Sequence, residues 1–308
     1  MTLPIAIVGV GKIARDQHLP TIAANPKFRL AGVVSRSVTD LDVPAATTIT
    51  ELKRQVPELA AVSLCTPPRG RAALIGEALD LGLHVMVEKP PAATISEGEQ
   101  FAAMAKAAGR SLFLTWHSRE ASGVEPLRRW LEGRRIARVA IEWMEDVRVW
   151  HPGQEWIWEP GIGVFDPGIN ALSILTRLLP APVEVTEAAL HYPANRPAPI
   201  AARLALASEA ADAITAEFSF DQRGPQTWSM TIDTDGGTAQ LRDGGGRLFI
   251  GGEEVPVPEG TEYGRLYARF AELVEQGEVD ADLAPFRLVA DAFMIGRRET
   301  GADFSWTD

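Results

Sequence analysis

One cysteine stands among 308 residues, so no internal disulfide can form and nothing asks for an oxidising compartment. Basic residues are scarce too. Thirty Lys and Arg face 41 Asp and Glu, a net charge of −11, and only five of the thirty are lysine, none beyond Lys106. A nucleic-acid partner needs a basic surplus to displace counterions from phosphates, and that surplus is missing. No apolar run approaches the roughly 18 residues of a membrane span. The first residues, MTLPIAIVGVG, carry neither a basic segment nor a cleavage site, so a cytoplasmic protein without a membrane partner is expected. What is present is an ordinary globular mix, 46% hydrophobic and 23% charged, which argues against disorder. At about 100–200 residues per domain, the length predicts two domains.

Over the first 118 residues short β-like runs alternate with helical stretches. Strands are expected at 4–10, 30–35, 60–65, 84–87 and 111–115, and helices at 14–24, 51–55, 71–81 and 96–108. That alternation implies a parallel sheet covered on both faces. After residue 119 the rhythm changes. A helix is expected at 126–132, a strand at 137–146, an irregular Trp/Gly/Pro-rich stretch at 150–168 and a helix at 169–179. Strand-like runs follow at 183–191, 201–207, 212–220, 228–234, 237–242 and 247–250, with turn signals such as Asp235-Gly236-Gly237 between them, and helices at 264–275 and 283–298 close the chain. The succession predicts a mostly antiparallel sheet. The fold class is therefore α/β: a doubly wound parallel sheet over 1–118, then a substrate-binding and oligomerisation domain over 119–308 with an open, mostly antiparallel sheet.

Gly9-Val10-Gly11-Lys12-Ile13-Ala14 follows the first strand and opens a helix. Glycines there allow a tight turn and a close backbone approach to a pyrophosphate, and the helix start presents unpaired N–H groups to its charge. At the end of the second strand an acidic residue would accept from a ribose 2′-hydroxyl. The chain instead reads Ser35-Arg36-Ser37, with no carboxylate before Asp40. Arg36 can clamp a 2′-phosphate and the serines can donate to it, which favours NADP, with NAD possible as an alternative cofactor. Cys65-Thr66-Pro67-Pro68 ends the third strand, with Cys65 read as a small buried residue rather than a catalytic thiol. His18, Glu88 and Lys89 complete the expected cofactor-contacting set.

Glu88-Lys89-Pro90-Pro91 ends the fourth strand at its carboxyl edge, where doubly wound sheets bind ligands. With the G-x-G-x-x-A and C-T-P-P motifs, it resembles the Gfo/Idh/MocA oxidoreductase family over both domains. The resemblance implies that a Rossmann domain precedes an open-sheet α/β domain and that the lysine of E-K-P, Lys89, is catalytic. Many members carry D-x-G-x-H in the second domain. This chain reads Asp166-Pro167-Gly168-Ile169-Asn170. Asparagine cannot accept a proton, so Asp166 becomes the candidate base, with Lys89 to tune or share the role and Asn170 to orient hydroxyls. Asp166 also suits an N-cap of the following helix. Residues 11–20 (GKIARDQHLP), 115–119 (TWHSR) and 150–160 (WHPGQEWIWEP) are similar to the bacterial L-arabinose/D-galactose 1-dehydrogenases within the family. The resemblance implies oxidation of C1 of a cyclic aldose, L-arabinose, D-galactose or D-fucose, to the lactone.

Six of the eight tryptophans lie between residues 116 and 158. Trp130 and Trp143 read as scaffold, whereas Trp150, Trp156 and Trp158 fall in the irregular stretch, where large aromatics suit the apolar faces of a sugar. Glu145 and His151 are interleaved with them, and His117 follows the fifth strand, which completes the expected substrate contacts. No His/Cys/Asp/Glu set has metal-ligand spacing, so no metal is expected. The competing readings are a dehydrogenase acting on another sugar or inositol hydroxyl, and a non-catalytic sugar- and NADP-sensing regulator. A homodimer is expected, since helices covering one face of the second sheet leave the other for a partner.

Overall fold

Apolar runs of four to seven residues build the first sheet: β1 (Leu3–Val8), β2 (Phe28–Val34), β4 (Ala61–Leu64) and β5 (His84–Val87). The two-residue β3 (Ala45–Ala46) and β6 (Leu112–Leu114) stand at its edges. The structure is a computed structural model and describes residues 2–36 and 40–307. All five pairings are parallel, in the order β3-β2-β1-β4-β5-β6. Strands buried on both faces need no polar alternation, and Ile5, Ala6 and Ile7 are all fully buried. The order reverses between β1 and β4, where Val8 pairs with Leu64. That is the switch point at which such sheets bind ligands, beyond the carboxyl ends of the strands.

The chain divides into two compact units, Met1–His117 with Thr261–Leu283, and Ser118–Gly260 with Ala284–Asp308. This differs from the expected division, which assigned everything after residue 118 to one domain. The helix Glu262–Gln276 buries Tyr263, Leu266, Tyr267, Phe270 and Leu273 in one stripe, among Ile5, Ile7, Phe28 and Met86 of the parallel sheet. Beyond it the Leu114 N–H donates to the Asp280 carbonyl at 2.9 Å, so the returning chain lies along the β6 edge. Periodicity shows that such a helix is amphipathic but does not name the surface it will cover.

In the second unit, nine strands are ordered β14-β13-β12-β11-β7-β10-β9-β8-β15. They are β7 (Ile136–Met144), β8 (Glu184–Pro193), β9 (Ala201–Ser208), β10 (Ala211–Ser219), β11 (Thr227–Thr234), β12 (Gly237–Arg242), β13 (Arg247–Ile250), β14 (Glu253–Val255) and β15 (Arg297–Gly301). Only β7–β10 and β8–β15 pair in parallel. Alternation puts Val139, Ile141, Trp143, Ile214, Ala216 and Phe218 on the buried face, while Arg138, Glu142, Thr215 and Glu217 face out. The helix Phe165–Leu178 covers that apolar face. Gly168 permits the approach, because a Cβ there would stand 2.9 Å from the Phe218 ring. The helix expected over 283–298 ends at Ile295, and the chain then adds β15 to the sheet edge. At Gly296 a Cβ would meet the Ala292 carbonyl at 2.4 Å and Leu190 at 2.9 Å, so only glycine passes there. No helix among the described residues is long and apolar enough to cross a membrane.

Candidate functional site

In the first unit, the ends of β1, β4 and β5 bring three motifs to one sheet edge. Gly9 follows β1 with a φ of +87°, and a Cβ there would lie 2.8 Å from the Thr66 side chain. Only glycine fits. Gly11 meets nothing within 4 Å and leaves the turn open. The Thr66 hydroxyl is buried and has no hydrogen-bond partner among the described residues. An orphaned donor beside an open glycine turn fits a dinucleotide phosphate, which would satisfy the hydroxyl and the following N–H groups together. Lys12 is exposed and paired with Asp16, and Ile13 is exposed. At the end of β2 the Ser35 N–H donates to Ala46 at 3.0 Å and Arg36 is exposed. Ser37 lies outside the described residues. Asp40, the first carboxylate after that strand, is held by Arg15 through bonds of 2.7 and 2.8 Å, which lower its pKa.

Beneath Lys89 lies a buried polar cluster. Glu88 Oε1 sits 3.0 Å from His18 Nε2 and accepts from the Tyr263 hydroxyl at 2.8 Å, and Glu88 Oε2 accepts from the Lys89 N–H at 3.0 Å. His18 Nδ1 is 2.8 Å from the Tyr267 hydroxyl and 3.2 Å from Ser63 Oγ, which contacts Cys65 Sγ at 3.8 Å. Burial drives the Glu88 carboxyl up, but the hydrogen bond and charge of His18, with His117 and Tyr263, outweigh it and hold the pKa at about 2. Burial also opposes charge on His18, yet Cys65, Tyr267 and Glu88 raise it well above 6.5. The pair is therefore imidazolium and carboxylate. Burial pushes the Tyr267 phenol to about 12, so it remains a neutral hydroxyl.

Arg71 ties the two strand ends together. Its Nε donates to the Thr66 carbonyl at 3.0 Å, and its guanidinium also reaches the carbonyls of Glu88 and Pro90. Burial lowers its pKa to about 10, which still leaves it cationic. His117 stacks on Tyr263 at 5.8 Å, with Nδ1 2.6 Å from Glu262.

In the second unit, Asp166 and Asn170 are four apart at the start of the helix Phe165–Leu178, on one side of it. His151 approaches Asp166 from the preceding segment, with Nε2 3.4 Å from Oδ2. Its ring meets Trp156 edge-on at 5.5 Å, and the Trp156 indole N–H donates to Gln154 at 2.9 Å. Trp150 stands against Trp228 at 5.3 Å. Trp150 and Trp156 are 43% and 42% exposed, large apolar surfaces left open to solvent.

The chain as a whole has relatives among known proteins. The profile of an oxidoreductase family with an NAD-binding Rossmann fold matches residues 3–115. The galactose 1-dehydrogenase of Pseudomonas fluorescens is 42% identical over 294 residues, 96% of this chain and 96% of that one. The crystal structure of a D-galactose-1-dehydrogenase protein from Rhizobium etli superposes with a TM-score of 0.94 at 47% identity, covering 99% of this chain and 98% of that chain. The chain belongs to the Gfo/Idh/MocA oxidoreductase family. A 3-ketoreductase from Actinomadura kijaniata, 17% identical with a TM-score of 0.82 over 98% of this chain and 100% of that one, shares the fold alone.

Several expected site residues of this Gfo/Idh/MocA member turn out to have interior positions. Glu88 and His18, expected among the cofactor contacts, are buried and hold each other and two tyrosines. Glu145, expected to meet substrate, is 6% exposed and accepts from the Trp228 indole at 3.0 Å. Trp158 is 2% exposed and packs on Phe304 at 4.6 Å, since one short helix, Glu155–Trp158, forms inside the irregular stretch and turns Trp158 inward. Asp166 is not the helix cap. Val164 occupies that place, and Asp166 sits in the first turn, where its charge faces the positive helix end. Arg71, Tyr263 and Tyr267 carried no motif. An arginine opening a helix and two tyrosines at helical spacing read as surface and core.

Proposed function

We propose that the protein oxidises C1 of a cyclic aldose to the lactone, with NADP as hydride acceptor and D-galactose, L-arabinose or D-fucose as the sugar. The reading is carried by one observation above the others: similarity to galactose 1-dehydrogenases runs through both units at 42% identity rather than through the nucleotide half alone. The cofactor choice is supported at the end of β2, where Arg36 is exposed and Asp40, the nearest carboxylate, is committed to Arg15 instead of a ribose hydroxyl.

Bound at the open edge, NADP supplies the hydride acceptor. The turn Gly9–Ala14 would hold the pyrophosphate, Thr66 would donate its orphaned hydroxyl, and Arg36 with Ser35 would hold the 2′-phosphate. The Lys89 ammonium would donate to the anomeric oxygen and offset the negative charge that grows on it as the hydroxyl gives up its proton, before that charge collapses into the C=O bond as hydride leaves C1. Asp166, with His151 Nε2 3.4 Å from its Oδ2, would accept the hydroxyl proton, and Asn170 would orient neighbouring hydroxyls. Trp150 and Trp156 offer ring faces to the C–H side of the sugar. The three sugars share configuration at C2, C3 and C4 and differ at C5, so a site that reads C2 to C4 accepts all three.

A panel of aldoses assayed with NADP and with NAD tests the whole reading. Reduction of NADP by the three matched sugars, with lactone as product, is the expected outcome. Absence of reduction with all three, or oxidation of inositol in their place, would overturn it.

A further inference from the structure

Segment 302–307, which follows β15, is bound to its own unit at both ends and through its middle. The Ala302 carbonyl accepts from the Ala194 N–H at 3.3 Å. Asn195 closes a ring of two bonds on Phe304, its Nδ2 donating to the Phe304 carbonyl and its Oδ1 accepting the Phe304 N–H, both at 2.9 Å. From that anchor the segment reaches three residues of 147–159. The Phe304 ring lies 4.6 Å from Trp158. The Arg148 guanidinium stands 4.3 Å over the Phe304 ring, and its Nε donates to the Ser305 carbonyl at 2.9 Å. The Trp306 indole N–H donates to Glu155 Oε1 at 2.7 Å, while Arg196 donates to the other oxygen of the same carboxylate at 3.1 Å.

Arg148 and Glu155 flank His151 in the chain, and Trp158 follows close behind. Between them the backbone has only the two four-residue helices, Val147–Trp150 and Glu155–Trp158. Helices that short do not hold themselves. Their geometry depends on what grips them from outside, and segment 302–307 supplies three of those grips, at Arg148, Glu155 and Trp158, beside those of Phe220, Asp221 and Arg196. We propose that this segment is a strap that fixes 147–159 so that His151 stays against Asp166, and that Phe304 and Trp306 are positioning residues for the aldose. The inference rests on the aldose reading above. A displacement of about 1 Å at a positioned group can cost about a hundredfold in rate, so loosening the strap reaches the chemistry although no strap residue needs to touch the sugar.

Trp306 is half-buried, so W306A removes the bond to Glu155 and the contact with Phe304 without hollowing a core. Two readouts apply to the full-length protein: hydrogen exchange of the 147–159 amides, and steady-state kinetics on D-galactose beside NADP affinity. The expected result is faster exchange confined to 147–159 and the flanking turns, kcat/KM for D-galactose lower by about tenfold, and an NADP dissociation constant within about twofold of wild type. W306F keeps an aromatic ring against Phe304 but loses the N–H and part of the indole's area, so it should fall between wild type and W306A. Unchanged exchange in W306A overturns the strap, as does faster exchange with kcat/KM unaltered. A parallel loss of NADP affinity and thermal midpoint also overturns it, since that marks general destabilisation. A wild type inactive on every aldose overturns the aldose reading instead, and the exchange pattern still decides whether 302–307 holds 147–159.

Discussion

Lys89 was legible because it is one of few lysines and ends a strand in a recognisable motif. What surrounds it was not. Its own N–H is held by Glu88 Oε2, so the backbone at the proposed catalytic position is tied to the buried cluster. Lys89→Met keeps that bond and removes only the ammonium. Turnover on D-galactose should fall by about a hundredfold to a thousandfold, the loss associated with removing one group aimed at developing charge. NADP affinity, measured by titration calorimetry, should stay within about twofold, and comparable turnover in the variant would remove Lys89 from its role. At the other pole, Asn170 stands where the family pattern carries a histidine, yet an imidazole still reaches the carboxylate: His151, 3.4 Å from Asp166. A partner drawn from another segment leaves no spacing signature, so the sequence pairs Asp166 with Lys89 and Asn170 but not with His151. Glu145 and Trp158 were misread for a related reason. A carboxylate at a strand end and a ring in a Trp/Gly/Pro-rich stretch look open until the fold supplies Trp228 and Phe304 to cover them.

At the scale of elements, the helix Glu262–Gln276 is the feature that most altered the expected organisation. Its amphipathic stripe was readable; its destination was not. By delivering Tyr263 and Tyr267 to His18 and Glu88, it makes a buried ion pair part of the support for the E-K-P turn. That pair has a definite pH signature. The Glu88 pKa is depressed from 4.5 to about 2, so its contribution to stability is full above pH 4.5 and is lost as pH falls towards 2. The His18 pKa is raised from 6.5, so its contribution is full below pH 6.5 and is lost as pH rises through the raised value. Glu88→Gln should therefore lower the thermal midpoint most between pH 4.5 and 6.5, by an amount equivalent to about 3–5 kcal/mol for a broken buried pair. The gap to wild type should narrow above pH 6.5. A gap that stays constant as pH rises would mean that the pair is not ionised as described.

For the whole molecule, two sheets of different logic share one chain. The parallel sheet is buried on both faces and could be read as continuous apolar runs. The nine-stranded sheet alternates, and its outward face, with Arg138, Glu142, Thr215 and Glu217, is polar rather than apolar. Helices occupy only its other side, and we propose that the outward face pairs with a second copy of the chain. Light scattering coupled to size-exclusion chromatography should give twice the 33.3 kDa of one chain. A mass of one chain across micromolar concentrations would exclude the dimer. A charge of −11 favours solubility, and on the proposed reading the 2′-phosphate would need only local donors such as Arg36, so the global sign does not oppose it.

By itself the sequence determined what depends on near neighbours along the chain. The glycine turn after β1, the strand–helix alternation, the two-residue period of the second sheet and the four-residue step from Asp166 to Asn170 all follow from backbone sterics and hydrophobic patterning, which act locally. Tertiary structure decided which surfaces and polar groups found one another. It brought helix 262–276 to the nucleotide sheet, His18 to Glu88, His151 to Asp166, and segment 302–307 to the stretch 147–159. Those choices minimise exposed apolar area and unpaired buried polar groups over the whole chain at once, a condition that no short window of residues contains.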